Sequence, residues 1–159
     1  MDLEKFTVEA KNAELAVKSL FNKLKKTPRR ELDDKIHALH EEAFDKIDCM
    51  TCGNCCKTTS PIFYQKDIER IANHLRIKPS EVIGKYLHLD AENDFVLNES
   101  PCPFLSEGNH CSVYDARPTA CREYPHTNRK RVYQVLDLSA KNALICPAVF
   151  YIFKEINSK

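Results

Sequence analysis

Between Cys49 and Cys56 the chain reads Cys-Met-Thr-Cys-Gly-Asn-Cys-Cys, which places four of its eight cysteines in one short stretch. No other segment constrains the fold as strongly. Thiols at every third position, followed at once by another, can wrap around a small inorganic centre. Gly53 supplies a turn that lets backbone N–H groups approach the sulfurs. Cys102, Cys111, Cys121 and Cys146 are scattered downstream, so a centre that recruits them ties the cluster to distant parts of the chain. Adjacent side chains of an extended segment point to opposite faces. On that geometry Cys55 and Cys56 are not expected to share one tetrahedral ion, and two four-ligand sites, or one site plus four structural thiols, both fit the count.

Three uses of the cysteines compete. A disulfide framework suits small secreted domains, not a chain of 159 residues able to build its own core. Unbonded core thiols explain one or two of the scattered cysteines but not the cluster. Metal ligation explains all eight. Zinc sites are usually built from two CxxC knuckles, and here only Cys49–Cys55 has such spacing. Ferredoxin-type clusters use CxxCxxC with a remote Cys-Pro, and the chain has Cys102-Pro103 and Cys146-Pro147. The spacing therefore leans towards an iron–sulfur cluster, 4Fe–4S among the forms, with Zn²⁺ as the alternative. A four-thiolate centre of either kind is a dianion that needs nearby donors and cations. Lys57, Arg117 and Arg122 adjoin cysteines and are the candidates.

The rest of the composition excludes more than it assigns. Three isolated glycines, Gly53, Gly84 and Gly108, leave no phosphate loop, dinucleotide fingerprint or nucleophile elbow. Twenty-four basic residues against 23 acidic ones give no field that points to nucleic acid or membrane. The longest apolar run, Ala143–Phe153, is interrupted by Pro147 and is well short of the ~20 residues of a membrane span. The acidic, amphipathic N-terminus is not a secretory signal, so a cytoplasmic location, where thiols stay reduced, is expected.

The predicted fold is mainly α with minor β, in two parts: an N-terminal helical hairpin over residues 1–47 and a compact, metal-stabilised cysteine-cluster domain over 48–159. Leu3, Phe6, Ala10, Ala13, Val17, Leu20 and Leu24 mark one seam of a first helix, ended by Pro28. Leu32, Ile36, Leu39, Ala43 and Ile47 mark the second. Such a seam either packs on its own protein or meets a protein partner. Asp67–Leu75 reads as a helix, and another opens at Pro79 and runs to about Leu89. Asp94–Asn98, Cys111–Tyr114 and Arg131–Leu138 read as short strands. A final helix runs from Pro147 to Asn157.

Other candidate groups are weaker. His37 and His40 share a helical face but read as surface residues, and HExxH is absent because position 44 is Phe. His110 and His126 flank the cysteine region and could replace a thiolate. Tyr114 and Tyr124 are expected to pack around the centre. No spacing reveals a catalytic constellation, so the sequence leans away from an enzyme without assigning a reaction.

The string Cys49–Cys56, then Pro101-Cys-Pro-Phe-Leu105, then Cys111-Ser-Val-Tyr-Asp-Ala-Arg-Pro-Thr-Ala-Cys121-Arg-Glu-Tyr-Pro125, resembles the YkgJ-type cysteine-cluster family. The resemblance runs from Cys49 to about Pro147 and omits the hairpin. It implies zinc or iron chelation in a bacterial cytoplasm, with no settled reaction. A related domain accompanies the flagellin lysine methylase, but nothing outside the cysteine region here offers a methyl-donor site.

Overall fold

The computed structural model describes residues 2–158. Its helices are α1 (Leu3–Asn12), α2 (Glu14–Leu24), α3 (Arg29–Lys46), α4 (Cys49–Cys52), α5 (Asn54–Thr58), α6 (Gln65–Leu75), α7 (Pro79–Tyr86), α8 (Thr119–Glu123), α9 (Leu136–Asn142) and α10 (Pro147–Asn157). Strands β1 (Leu87–Leu89) and β2 (Phe95–Leu97) pair antiparallel, Leu87 opposite Leu97 and Leu89 opposite Phe95. Single 3-10 turns cover Tyr114–Ala116 and Val132–Val135. The fold is mainly helical with a minor sheet.

Packing divides the chain into two compact units. One unit combines the residues up to Asn54 with those from Pro125 onward; the other is the intervening Cys55–Tyr124. The C-terminal helices thus belong with the N-terminal ones. The reason is the apolar seam of the first helices, which needs a partner surface.

In the helical unit, α2 packs on α9 and α3 packs on α10. Phe6 of α1 meets the Phe150 ring edge-on, with centroids 5.6 Å apart. Phe6, Ala10, Val17, Phe21 and Leu24 are all buried, as are Leu32, Ile36, Leu39 and Ala43 of α3. From α10, Val149, Ile152, Phe153 and Ile156 complete the core, so the predicted seam is covered within the unit. The expected single first helix is two, because Ala13 departs from helical geometry. The predicted strand at Arg131–Leu138 is instead a 3-10 turn running into α9. The cause is tertiary: Asp33 of α3 accepts the N–H groups of Arg131 and Val132 at 2.8 and 2.9 Å, and Val132 is buried. Two further contacts fasten the same segment to α3. His37 Nε2 donates to the Arg129 carbonyl at 2.8 Å, and His40 Nδ1 hydrogen bonds with Thr127 Oγ1 at 2.7 Å.

The intervening unit has a core of Phe63, Ile68, Ile71, Ala72, Val82, Leu87, Leu97, Phe104, Val113 and Ala116. Here α7 stops at Tyr86, short of the expected Leu89, because Leu87–Leu89 pairs with β2. The predicted strand at Cys111–Tyr114 reduces to one bridge, Cys111 opposite Leu105, before the chain turns at Tyr114. Among the described residues no single helix is long and apolar enough to cross a membrane.

Candidate metal centre

The cluster is helical, not extended, and so corrects the geometry assumed for its adjacent cysteines. Asp48 starts α4 by accepting the Met50 N–H at 2.9 Å and the Thr51 hydroxyl at 2.7 Å. Gly53 ends it with φ of 58°, a left-handed conformation that costs glycine little, and its N–H returns to the Cys49 carbonyl at 2.9 Å. The next helix, α5, begins at once and carries Cys55 and Cys56. Two short helices hinged on one glycine therefore present the four sulfurs.

Four cysteines of the intervening unit form one neighbourhood. Cys56 lies on α5, Cys102 in the turn after Pro101, Cys111 at the bridge to Leu105 and Cys121 on α8. The Cys102 N–H donates to the Cys56 carbonyl at 2.8 Å, which locks two of the carriers together. Cys102 and Cys111 also pack against the apolar core. Burial pushes the Cys121 thiol up to about 12, and the nearby Cys56, Cys102 and Cys111 sulfurs add to the rise. Burial likewise raises Cys102 to about 11 and lifts Cys111. Cys56 moves the other way, to about 7, because the Cys55 thiol hydrogen bonds to it and Lys57 adds its charge, against burial. Cys56, Cys102, Cys111, Cys121 and Cys146 are thiols with no disulfide.

The helical unit holds a second neighbourhood. Cys49 is exposed, while Cys52 and Cys146 are buried. Burial raises the Cys146 thiol to about 12 and the proximity of Cys49 and Cys52 adds to it, while the Val149 and Ala148 amides draw it down. Cys146 sits directly before α10, and its N–H donates to the Asn142 carbonyl at 2.7 Å.

The two Cys-Pro pairs share a local device. Proline has no N–H and a fixed φ, so the amides that face each sulfur come from farther along: Phe104 and Leu105 for Cys102, Ala148 and Val149 for Cys146. Cys111 is drawn down in the same way by the Val113 amide. Backbone dipoles aimed at sulfur stabilise thiolates, as a metal–thiolate centre requires.

The cationic candidates divide by position. Lys57 acts on Cys56, and Arg117 lowers both Cys111 and Cys121. Arg117 lies over the Tyr114 ring at 3.8 Å and donates to the Tyr114 carbonyl at 2.7 Å. Arg122 braces backbone instead, donating to the Arg117 carbonyl at 3.1 Å and the Asp115 carbonyl at 2.5 Å. Tyr114, expected to pack around the centre, is 46% exposed. His110 is exposed, and His126 is half-buried in a left-handed conformation with φ of 69°. His37 and His40 fasten the segment around Thr127 and Arg129 to α3.

Sequence reasoning missed Asp67, the only charged side chain among the buried described residues. Its carboxylate accepts from the Tyr64 N–H, Arg70 Nη2, the Thr119 N–H and Thr119 Oγ1, at 2.5 to 3.0 Å. Burial pushes its pKa up, but these donors outweigh it and hold the carboxyl below the usual carboxylate value. An acid in the first turn of α6 reads as an ordinary helix start, and nothing in the sequence marks its bonds to Thr119.

Among the described residues no three His, Cys, Asp or Glu side chains stand in positions that could hold an ion as they are. The sulfurs are neighbours without being a closed coordination shell. The donor chemistry nevertheless fits a thiophilic metal: the neighbourhood of Cys56, Cys102, Cys111 and Cys121 is all thiol, with a cation and backbone amides directed at it. Deprotonating all four in place is unfavourable without a compensating positive centre.

These features define a cysteine-cluster chelating domain. The family model described as "CxxCxxCC: Putative zinc- or iron-chelating domain" matches residues 48–146, and the chain belongs to that family. The uncharacterized protein MJ0661 of Methanocaldococcus jannaschii is 33% identical over 86 residues. The aligned stretch covers 52% of this chain and 46% of that protein, so the match spans about half of the relative's length. No solved structure matches.

Proposed function

We propose that Cys56, Cys102, Cys111 and Cys121 bind one metal centre, that Cys49, Cys52 and Cys146 supply thiolates to a second, and that the protein is an iron–sulfur protein with a redox or accessory role. Cys55 is retained as a ligand on its place in the CxxCxxC spacing. The observation that carries the reading is the gathering of four thiols in one unit, where Cys56, Cys102 and Cys111 all raise the cost of deprotonating Cys121, and Cys56 does the same to Cys102 and Cys111. A bound iron–sulfur cluster would supply one-electron chemistry. The chain's own part is to give up thiol protons, direct the Phe104, Leu105 and Val113 amides at the sulfurs and offset charge through Lys57 and Arg117. The CxxCxxC spacing and the two Cys-Pro pairs support iron and sulfide over zinc. A site that depends on thiols staying unoxidised belongs in a reducing compartment, which supports the cytoplasm.

One observation favours a second reading, a zinc-stabilised interaction module without catalytic activity: Cys102 and Cys111 are packed against the apolar core, where a metal would act as a structural staple. Anaerobic purification followed by visible spectroscopy and analysis for iron, sulfide and zinc separates the two. A brown protein with iron and sulfide in equal amounts is expected. A colourless protein with stoichiometric zinc selects the second reading, and a protein without any of the three removes both.

A further inference from the structure

We propose that Asp67, Arg70 and Thr119 form a clamp that fixes the position of the Cys121 sulfur, which makes them positioning residues for the metal centre; this rests on the four-thiolate reading above. The helix that carries Cys121 is short. It spans only Thr119–Glu123, and no side chain of its own caps its start. A single turn of that length does not persist unaided. Its first N–H and the Thr119 hydroxyl are both taken by Asp67, at 3.0 and 2.8 Å, from α6, 52 positions upstream. The start of α8 is thus capped by a residue of another helix.

Arg70 completes the grip. Its Nη2 pairs with Asp67 Oδ1 at 2.5 Å and donates to the Arg117 carbonyl at 2.8 Å, while its Nε donates to the Ala116 carbonyl at 3.2 Å. The carbonyl side of the segment is held by the guanidinium and the N–H side by the carboxylate. The segment so held, residues 116–119, carries Arg117, whose charge faces the Cys111 and Cys121 sulfurs, and leads into Cys121. A buried carboxylate is costly unless every acceptor site is used. Here it is fully bonded, and such a network specifies orientation where apolar packing would allow drift.

Cobalt(II) titration of the full chain tests the clamp, because the sulfur-to-cobalt charge-transfer and visible d–d bands report thiolate number and geometry. Thr119→Val keeps the shape of the residue but loses the hydroxyl, and Asp67→Asn loses the charge. Each is expected to weaken cobalt affinity about 10- to 100-fold and to alter the d–d envelope. Thr119→Ser should restore both readouts, and Ile71→Val, which perturbs the same helix through its apolar side, should leave them unchanged. Wild-type affinity and spectrum in Thr119→Val and Asp67→Asn would overturn the clamp, as would an equal loss in Ile71→Val. Cys121→Ser distinguishes the two levels: an unaltered spectrum there overturns the four-thiolate reading itself. A normal loss there beside an unaltered Thr119→Val overturns the clamp alone.

Discussion

The two compact units solve the same problem by different means. The helical unit buries long apolar stripes from α2, α3, α9 and α10 against one another. The intervening unit has shorter helices, three-residue strands and irregular loops, and half-buried Cys102 and Cys111 pack against its core. A core of that size is marginal by surface-to-volume scaling. The difference predicts where metal binding energy matters: least where helices pack on helices, and most where loops converge on sulfur.

The sharpest way to break this contrast is to remove the metal. A structural thiolate site is worth about 10–16 kcal/mol in peptides at neutral pH. Chelation is expected to abolish hydrogen-exchange protection in Cys55–Tyr124 while α3 and α10 stay protected. Uniform loss in both units, or none in either, would end the comparison. Next in size is a core truncation with the opposite signature. Ile152→Ala on α10, fully buried, is expected to cost about 3–4 kcal/mol in thermal or denaturant unfolding, with metal content per folded molecule unchanged.

Acidity should act on the units unequally. In the metal-free protein, Cys102 at about 11 and Cys121 at about 12 are protonated at neutral pH. Metal must displace those protons, so apparent affinity rises with pH, about tenfold per unit for each proton released. Asp67 adds a second acid sensitivity to the same unit. Its folded pKa is depressed, so its contribution is present above the unfolded carboxyl value and lost as pH falls through the folded one. Metal titrations across pH, with acid unfolding followed by fluorescence or exchange, check both signs. The smallest effect is that of His40 in the helical unit. Burial lowers the His40 pKa, so its share of stability is present above the unfolded histidine value of about 6.5 and lost as pH falls through the folded one. His40→Gln should flatten that slope, by less than about 1 kcal/mol, given one part-buried hydrogen bond.

Parts of this architecture were legible in the chain because local chemistry decided them. Pro147 and the stripe through Ile156 fixed α10, and Asp94–Asn98 contained β2. Other parts were settled by contacts between distant residues. The alternation in Arg131–Leu138 suits a strand, yet the Asp33 carboxylate captures its first amides and turns it helical. Leu87–Leu89 continues a helical pattern but pairs with β2. For the site, spacing displayed the sulfurs and even the Cys-Pro pairs, while their grouping depended on which loops meet. Asp67 was invisible because its role depends on Thr119, and no spacing rule connects the two.

The amide device at Cys102 and Cys146 has a consequence for how this protein tolerates change. The groups that tune those sulfurs belong to the main chain at positions 104, 105, 148 and 149, so the side chains there can be exchanged while the dipoles remain. A proline at any of the four would delete a donor outright. Mutational scanning of these positions should therefore reveal a prohibition against one imino acid, with side-chain requirements governed only by ordinary packing.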